Sequence, residues 1–288
     1  MTKTPNIQLV VCDLDNTIYD WVAYFVPSFY AMIDESVTVL DCSKELLLDE
    51  MRDVHRRHHD SEHPFALLDT SIVKSKFKNS SRSEIANRLD SALHRFNSMR
   101  KQSLHLYEGV EVGIQRLKSQ NIKIVAHTES KLFTTLDRLK RLKVLQLFDH
   151  VYCLERPKSV HPHKHSASEW LDKFDLSIVT ELAHEDRKPA PHVLQSICED
   201  LGISPQNTAY IGDSIAKDIV MAKNANVFAI WAKYGTEVAP ELYSKLVRIS
   251  HWTEADVARE VRLKENAQGV EPDLTVLSFF EAVQKITQ

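Results

Sequence analysis

An apolar run that ends abruptly in two carboxylates lies near the start of the chain, at Ile7-Gln-Leu-Val-Val-Cys-Asp13-Leu-Asp15-Asn16-Thr17. Alternate side chains of an extended segment share a face, so Asp13 and Asp15 repel each other unless a cation or a shared proton lies between them. Mg²⁺ fits this need, because it takes oxygen ligands from a few carboxylates, waters and a phosphate. From these residues alone, a solvated turn with Thr17 as a helix cap is the alternative.

Three later stretches place further polar groups in comparable positions. Two are apolar strands that end in polar residues, and the third holds a lysine beside a rigid bend. They are Ile122-Lys-Ile-Val-Ala-His-Thr128, Thr208-Ala-Tyr-Ile-Gly-Asp213-Ser-Ile-Ala-Lys-Asp218 and Asp186-Arg-Lys188-Pro-Ala-Pro191. Ligands of open parallel sheets bind outside the carboxyl ends of the strands, so these groups are expected to meet there.

In this order, the four stretches resemble the motifs of the haloacid dehalogenase (HAD) superfamily. Those motifs are a DxDx[TV] strand end, a strand-terminal Thr or Ser, a Lys, and a GDxxxD or GDxxxxD loop. The resemblance is to the phosphatase-like subgroup and covers nearly the whole chain apart from parts of two insertions. It implies an α/β fold in which a Rossmann-like parallel sheet core carries an all-helical cap, inserted between the first and second motifs.

The resemblance also implies roles for individual residues. Asp13 would be the nucleophile that attacks phosphorus and forms an aspartyl-phosphate. Asp15 would protonate the leaving alkoxide and later deprotonate the attacking water. Thr128 and Lys188 would contact the phosphoryl group, and Lys188 would also balance the carboxylates. Further donors to the phosphate are expected from two backbone amides, those of Leu14 and Glu129.

The same resemblance implies Mg²⁺ as the cofactor. Its expected ligands are the carboxylate of Asp13, the backbone carbonyl of Asp15 and the carboxylate of Asp213. Asp218 matches the longer form of the fourth motif and would orient the metal or its waters.

Helical periodicity dominates residues 18–105, which are expected to form the cap. The core is expected at residues 1–17 and 106–288, where strand and helix patterns alternate and predict right-handed crossovers in a parallel sheet. Four cap helices are predicted from local start signals. These are Pro27 in the first turn of the first helix, Ser43 and Ser83 as N-caps, and Pro64 at the start of a short helix.

Two insertions, at residues 154–188 and 234–269, depart from a minimal HAD chain. A helix is predicted in each, around Trp170 and from residue 255 to 261. The first insertion also holds His161, His163 and His165, whose alternate spacing suits a transition metal but whose loop setting favours ordinary polar surface. The same interpretation applies to the cap histidines, which are His55, His58, His59 and His63.

The composition excludes several classes of partner. The chain has 288 residues, with 36 basic and 40 acidic side chains and a net charge of −4. No overall positive field attracts nucleic acid or an anionic membrane, and basic runs such as 56–57 and 138–143 are expected to be solvated helix faces. Four cysteines without CxxC spacing predict free thiols. Without a signal peptide or a membrane-span pattern, we expect a cytoplasmic protein.

Hydrolysis of a small phosphomonoester is the predicted function, with a small phosphorylated metabolite as partner. The acid at Asp15 favours phosphate chemistry over dehalogenation, because cleavage of a carbon–halogen bond needs no proton donated to an alkoxide. A nucleotide 5′-monophosphatase, a phosphomutase, a phosphonate hydrolase and a non-catalytic binding or regulatory protein are the alternatives. Aromatic residues after the first motif either stack on a base or pack the cap hinge. They are Tyr19, Trp21, Tyr24 and Phe25.

Overall fold

The computed structural model describes residues 5–63, 65–156 and 166–288. Within these residues seven strands form a single sheet. They are β1 (Leu9–Cys12), β2 (Lys123–Lys131), β3 (His150–Leu154), β4 (Val179–Leu182), β5 (Thr208–Gly212), β6 (Phe228–Ala232) and β7 (Leu274–Val276). Their order is β4-β3-β2-β1-β5-β6-β7, and every neighbouring pair is parallel. This topology confirms the predicted parallel α/β core.

The central strand β1 is buried on both faces. Val10 and Cys12 belong to one hydrophobic cluster, and Leu9 and Val11 belong to a second cluster on the opposite face. Helices therefore cover both sides of the sheet, as expected for parallel strands that are apolar throughout. Because β1 lies between β2 and β5, the residues that follow these three strands meet at one edge of the sheet.

The segment between β1 and β2 is helical. It contains α1 (Trp21–Leu40), α2 (Lys44–His58), a 3₁₀ turn (Ala66–Asp69), α3 (Ser71–Lys76), α4 (Arg82–Arg88) and α5 (Asp90–Ser103). Among the described residues of this segment, extended pairing is limited to isolated bridges at Tyr19. The all-helical insertion is therefore as predicted, with one helix more than the four expected.

The predicted helix starts in this segment were correct at one position and wrong at two. Ser43 Oγ caps α2 by accepting from the Leu46 amide at 3.1 Å, as predicted. The first helix begins at Trp21 because Asp20 caps it, so Pro27 lies inside α1 and not in its first turn. Ser81, and not Ser83, caps α4, because Glu84 completes a capping box with it. The predicted start at Pro64 lies outside the described residues.

Further helices complete the fold, with α6 just before β2 and the others after it. They are α6 (Val110–Ser119), α7 (Leu132–Arg141), α8 (Ser166–Leu171), α9 (Pro191–Leu201), α10 (Val220–Asn224), α11 (Pro240–Ile249), α12 (Glu254–Asn266) and α13 (Phe279–Ile286). Gly202 ends α9 in the left-handed conformation, with φ of 66°, as predicted.

Both insertions contribute more structure than expected. The helix around Trp170 and the helix near residues 255–261 are present as α8 and α12. The first insertion also supplies β4, which extends the sheet beside β3, and the second supplies α11. The histidine run at residues 161–165 lies outside the described residues.

Helix α11 connects the core to the inserted helices. The His55 ring nitrogen Nδ1 lies 2.7 Å from the carbonyl oxygen of Ile249, and the Tyr30 hydroxyl donates to the carbonyl of Lys245 at 3.2 Å. Arg248 pairs with Asp49 at 3.0 Å. One hydrophobic cluster runs without a break from the inserted helices into the sheet. Of the helices described, none has the length and hydropathy that a bilayer span requires.

Candidate active site

Three carboxylates meet at the carboxyl edge of the sheet. Asp13 follows β1, Asp213 follows β5, and Asp218 lies in a π-helical turn (Ile215–Ile219) just beyond. Carboxylate oxygens of all three lie within 4.8 Å of one another. Asp13 and Asp218 are only 6% and 2% exposed, whereas Asp213 is half-buried.

Lys188 contacts two members of this group. Its ammonium donates to Asp13 Oδ1 and lies 2.9 Å from Asp218 Oδ1. The lysine is buried, and it comes from the loop before α9, where a cis peptide bond joins it to Pro189. The first, third and fourth motifs are therefore brought together, as the sequence predicts.

The local backbone explains how Asp218 reaches this position. Its Oδ2 accepts from the Ser214 amide at 3.0 Å, and the Tyr210 hydroxyl donates to its Oδ1 at 3.2 Å. A Cβ on Gly212 would lie 2.4 Å from Asp218 Cγ, so only glycine leaves room for the carboxyl group. The glycine of the fourth motif is needed for this close approach.

Lys188 balances only part of the negative charge that the three carboxylates can carry. Burial raises the pKa of Asp13 to about 7; Lys188 opposes this rise, while Asp218 and Asp15 add to it. The pKa of Asp213 is also well above its usual range, because of burial and repulsion from Asp13 and Asp218. Burial lowers the pKa of Lys188, but attraction by Asp13 and Asp218 outweighs it and raises that pKa.

A divalent cation fits this donor set. Three carboxylates share one ammonium in a buried site, and their oxygens have metal-ligand spacing. Hard cations such as Mg²⁺ prefer oxygen ligands, and a cation at this position would favour the ionised carboxylates. The side chain of Asp15 is not part of the cluster formed by Asp13, Asp213 and Asp218. The predicted ligand from that residue, its backbone carbonyl, stays a prediction.

Asp15 faces a different set of partners. Its Oδ1 accepts from the Tyr19 hydroxyl and from Arg138 Nη1, each at 2.7 Å. Its Oδ2 accepts from the Ser130 hydroxyl at 2.7 Å. Both oxygens are therefore held by donors, while 27% of the side chain stays exposed.

Sequence reasoning missed Arg138. It was expected on a solvated helix face, but its side chain is fully buried and also pairs with Glu62, whereas Lys140 and Arg141 nearby are exposed. Arg138 follows the buried Thr135 by three positions, so it borders the apolar stripe of α7. That spacing was the available signal.

The remaining predicted residues lie around the same edge. Thr128 is buried in β2, and its Oγ1 accepts from the Ser130 amide at 3.0 Å. Leu14 is buried directly after Asp13, between the two acids of the first motif. The Glu129 side chain points to Lys217, whose ammonium is 3.0 Å away, so only its backbone amide is a candidate phosphate donor.

A second group with metal-ligand spacing lies among the inserted helices, at His58, His63 and Asp69. The two imidazole rings stack at 3.6 Å with an interplanar angle of 5°, so their in-plane lone pairs do not converge. Arg82 donates to both oxygens of Asp69, at 2.8 and 3.2 Å. This geometry fits an ion pair beside stacked rings better than a metal site.

A parallel sheet with buried carboxylates and a lysine at its carboxyl edge is the arrangement of an α/β enzyme. A family model described as haloacid dehalogenase-like hydrolase matches residues 7–226. The chain therefore belongs to the haloacid dehalogenase-like hydrolase family, which confirms the predicted family and the prediction of a hydrolase. A small-molecule substrate is implied by this family.

Several solved structures have a similar fold. A 2-haloacid dehalogenase from Pseudomonas syringae pv. Tomato DC3000 is 16% identical, with 98% of each chain covered and a TM-score of 0.54. A HAD phosphatase from Thermococcus onnurineus is 16% identical, with 96% of this chain and 97% of that chain covered and a TM-score of 0.51. The magnesium-bound HAD-hydrolase YfnB from Bacillus subtilis is 13% identical, with 98% and 100% covered and a TM-score of 0.52. At these identities the likeness concerns the fold. No curated protein sequence matches the chain.

Proposed function

We propose that the protein is a Mg²⁺-dependent phosphatase that hydrolyses a small phosphomonoester through an aspartyl-phosphate on Asp13. The observation that carries this proposal is the contact of Lys188 with Asp13 inside a group of three carboxylates, of which Asp13 and Asp218 are buried. A nucleophilic carboxylate, an adjacent ammonium and a cation site are the parts that phosphoryl transfer to an aspartate requires.

In the first half of the reaction, a carboxylate oxygen of Asp13 forms a bond to phosphorus while the ester P–O bond breaks. Lys188 and the hydroxyl of Thr128 would contact the phosphoryl oxygens, and the amides of Leu14 and Glu129 would add donors. Mg²⁺, held by Asp13 and Asp213 with Asp218 orienting it, would supply further neutralisation of the phosphoryl charge.

Asp15 would move the protons of both half-reactions. The leaving alkoxide takes a proton from Asp15 and departs as the alcohol. A water then gives a proton to Asp15 while its oxygen attacks phosphorus, and free phosphate and the Asp13 carboxylate are regenerated. The partly exposed Asp15 carboxyl group supports this role, because a general acid must reach the substrate.

The presence of Asp15 also supports hydrolysis of a phosphate ester over dehalogenation, since a departing alkoxide needs a proton and a departing halide does not. A small phosphorylated metabolite is the proposed substrate. A cytoplasmic location is proposed as well, supported by four cysteines that are all free thiols.

Release of inorganic phosphate tests this function. We would assay a panel of sugar phosphates, phosphoglycolate, nucleoside monophosphates and simple alkyl and aryl phosphates, with Mg²⁺ and with EDTA. Release should require the metal and be lost in Asp13→Asn. The matched control is Asp172→Asn, which removes the same charge at an exposed position and should leave the rate unchanged. Absence of release from every ester by folded protein would contradict the proposal.

A further inference from the structure

Helix α12 of the second insertion lies against residues that surround the candidate site. It contacts the π-helical turn that holds Asp218, where the Lys217 ammonium lies 3.3 Å from Glu260 Oε1. The same ammonium lies 3.0 Å from Glu129 Oε2, and Glu129 directly follows Thr128 in β2. Through Lys217, α12 is therefore joined to both the second and the fourth motifs.

A second contact joins α12 to the lysine of the third motif. Arg259 Nη2 donates to the backbone carbonyl oxygen of Lys188 at 2.7 Å. Lys188 lies in the loop between a 3₁₀ turn (His184–Asp186) and α9, outside any helix or strand. Within the described part of the chain, this is the one hydrogen bond made to the main chain of Lys188. The Arg259 guanidinium therefore fixes the backbone from which the Lys188 side chain extends.

The position of the Lys188 ammonium depends on this backbone. The ammonium contacts Asp13 and Asp218, but lysine carries its charge on a flexible stem that can follow a movement of the loop. Groups of a catalytic site act only when they are held to within about 0.5 Å of the productive geometry. A shift of the loop would therefore displace the ammonium from its place beside Asp13.

Polar contacts, and not a buried apolar face, hold α12 in place. None of its thirteen residues, all of which the structure describes, is fully buried. Its valines Val257 and Val261 are 52% and 49% exposed. Loss of the Arg259 contact would therefore not be compensated by apolar packing of the helix.

We propose that Arg259 is a positioning residue for Lys188, so that α12 makes the second insertion part of the phosphate-binding site. The expected effect on turnover rests on the proposed phosphatase function. Arg259 acts through the main chain of Lys188, and Lys188 is the residue that would contact the phosphoryl oxygens.

The first test measures kcat/KM in three variants of α12. Arg259→Met removes the donor, so kcat/KM should fall by about ten- to a hundredfold, as expected for a displaced site group. Arg259→Lys restores a donor and should recover part of that loss. Arg262→Met is the matched control, because Arg262 is exposed on the same helix, and it should keep the wild-type value. Equal kcat/KM in Arg259→Met and the wild type would overturn the inference.

Acetylation of Lys188 tests its position without turnover. Limiting acetic anhydride, followed by mass spectrometry of the peptides, measures the reactivity of Lys188 against that of Lys223, which is partly exposed beside Asp273. Loss of a hydrogen bond from a charged donor should make Lys188 react about tenfold faster in Arg259→Met and leave Lys223 unchanged. Unchanged protection of Lys188 in Arg259→Met would overturn the inference, even where kcat/KM falls.

The two measurements separate failure of the inference from failure of the function. If Lys188 becomes reactive in Arg259→Met but not in Arg262→Met, while no ester releases phosphate, the positioning role stands and the phosphatase function is wrong. If the wild type and Arg259→Met release phosphate equally, with Lys188 equally protected in both, the function stands and the positioning role is wrong.

Discussion

Arg138 Nη1 donates a hydrogen bond to Asp15 Oδ1 over 2.7 Å, and the same guanidinium pairs with Glu62 through Nη2. A fully buried arginine thus joins helix α7 to the first motif and to the inserted helices. Since attraction by Glu62 and Asp15 outweighs burial, the pKa of Arg138 is raised further, and the residue stays charged. This pair links the position of the candidate acid to the packing of the insertion.

Replacement of Arg138 by methionine should destabilise the protein severely. The change leaves the partly buried carboxylates of Glu62 and Asp15 without their cation, and loss of one partner of a buried pair typically costs about 3–5 kcal/mol. The control is Arg141→Met, which breaks an exposed pair with Asp137 and should cost about 0–1 kcal/mol. Urea denaturation measures both values, and equal losses would contradict the interpretation.

Replacement of Asp15 by asparagine should slow hydrolysis, and the slowing should be larger for leaving groups that need to be protonated. Loss of a general acid removes about 10²–10⁴ in rate for an alkyl phosphate. A nitrophenolate needs little protonation, so 4-nitrophenyl phosphate should lose much less in its first step. Single-turnover release of the alcohol measures this step for both esters. An identical slowing of the two would show that Asp15 acts on structure and not as an acid.

Replacement of Gly212 by alanine should disrupt the acidic group. The added Cβ would lie 2.4 Å from Asp218 Cγ, so Asp218 must move away from Lys188 and Ser214. We expect Mg²⁺ affinity to fall by about tenfold or more, in line with the loss of other supporting groups around metals. Gly202→Ala is the control for a general loss of stability, because it strains the left-handed backbone at the end of α9 while nothing lies within 4 Å of its added Cβ. Unchanged affinity in Gly212→Ala would exclude Asp218 from the metal site.

Mg²⁺ binding should strengthen as the pH rises from 6 to 8. Burial raises the pKa of Asp13 to about 7 in the metal-free protein, so below that pH the carboxyl group must lose a proton before it binds the cation. Below pH 7 the apparent affinity should fall by about tenfold per pH unit for each proton released. Calorimetry in buffers of different ionisation enthalpy measures the protons released. Equal affinity at pH 6 and pH 8 would contradict this.

Acid should destabilise the fold through His55. Its pKa is lowered to about 4 by burial, against about 6.5 in the unfolded chain, so the unfolded state binds the extra proton between these values. The stabilisation is complete above pH 6.5 and is lost as the pH falls to 4, by up to about 3 kcal/mol. Denaturation of the wild type and His55→Gln across this range measures the difference. Parallel pH curves for the two proteins would show that another group is responsible.

The strands that carry the candidate site were predictable from local sequence. β1 and β5 are apolar runs buried on both faces of the sheet, and the first polar residue after each run marks where the chain leaves the sheet. β2 instead continues past its apolar run through Thr128 to Lys131, so Thr128 lies inside the strand and not at its end. The same signal that located the strands therefore located Asp13 and Asp213. Parallel pairing then brings their ends together without further information.

Strand β4 could not be predicted in this way. Its residues, Val-Thr-Glu-Leu, are short and partly exposed at the edge of the sheet, so they have no apolar run. Only pairing with β3 makes them extended, and pairing is a tertiary effect. Pro27 is a similar case, because the packing of Phe25 and Phe29 keeps α1 continuous through a residue that disfavours helix.

The surroundings of Asp15 depend on contacts between distant parts of the chain. Arg138 is 123 positions from Asp15 and 76 positions from Glu62. No local periodicity connects such residues, and a basic side chain on a helix is normally exposed. The motifs therefore located the acid, but its partners follow from the way the insertion packs on α7.

The unbroken hydrophobic cluster between the inserted helices and the sheet has a consequence for cooperativity. Phe29 of α1, Ile249 of α11 and Ile114 of α6 share one apolar interior, and α11 adds hydrogen bonds to both α1 and α2. Residues 18–105 form one continuous segment of the sequence, but their hydrophobic core is continuous with that of the sheet domain. Melting of the insertion would expose the apolar side of α11, against which α1 and α2 pack, so both parts are expected to unfold in a single transition.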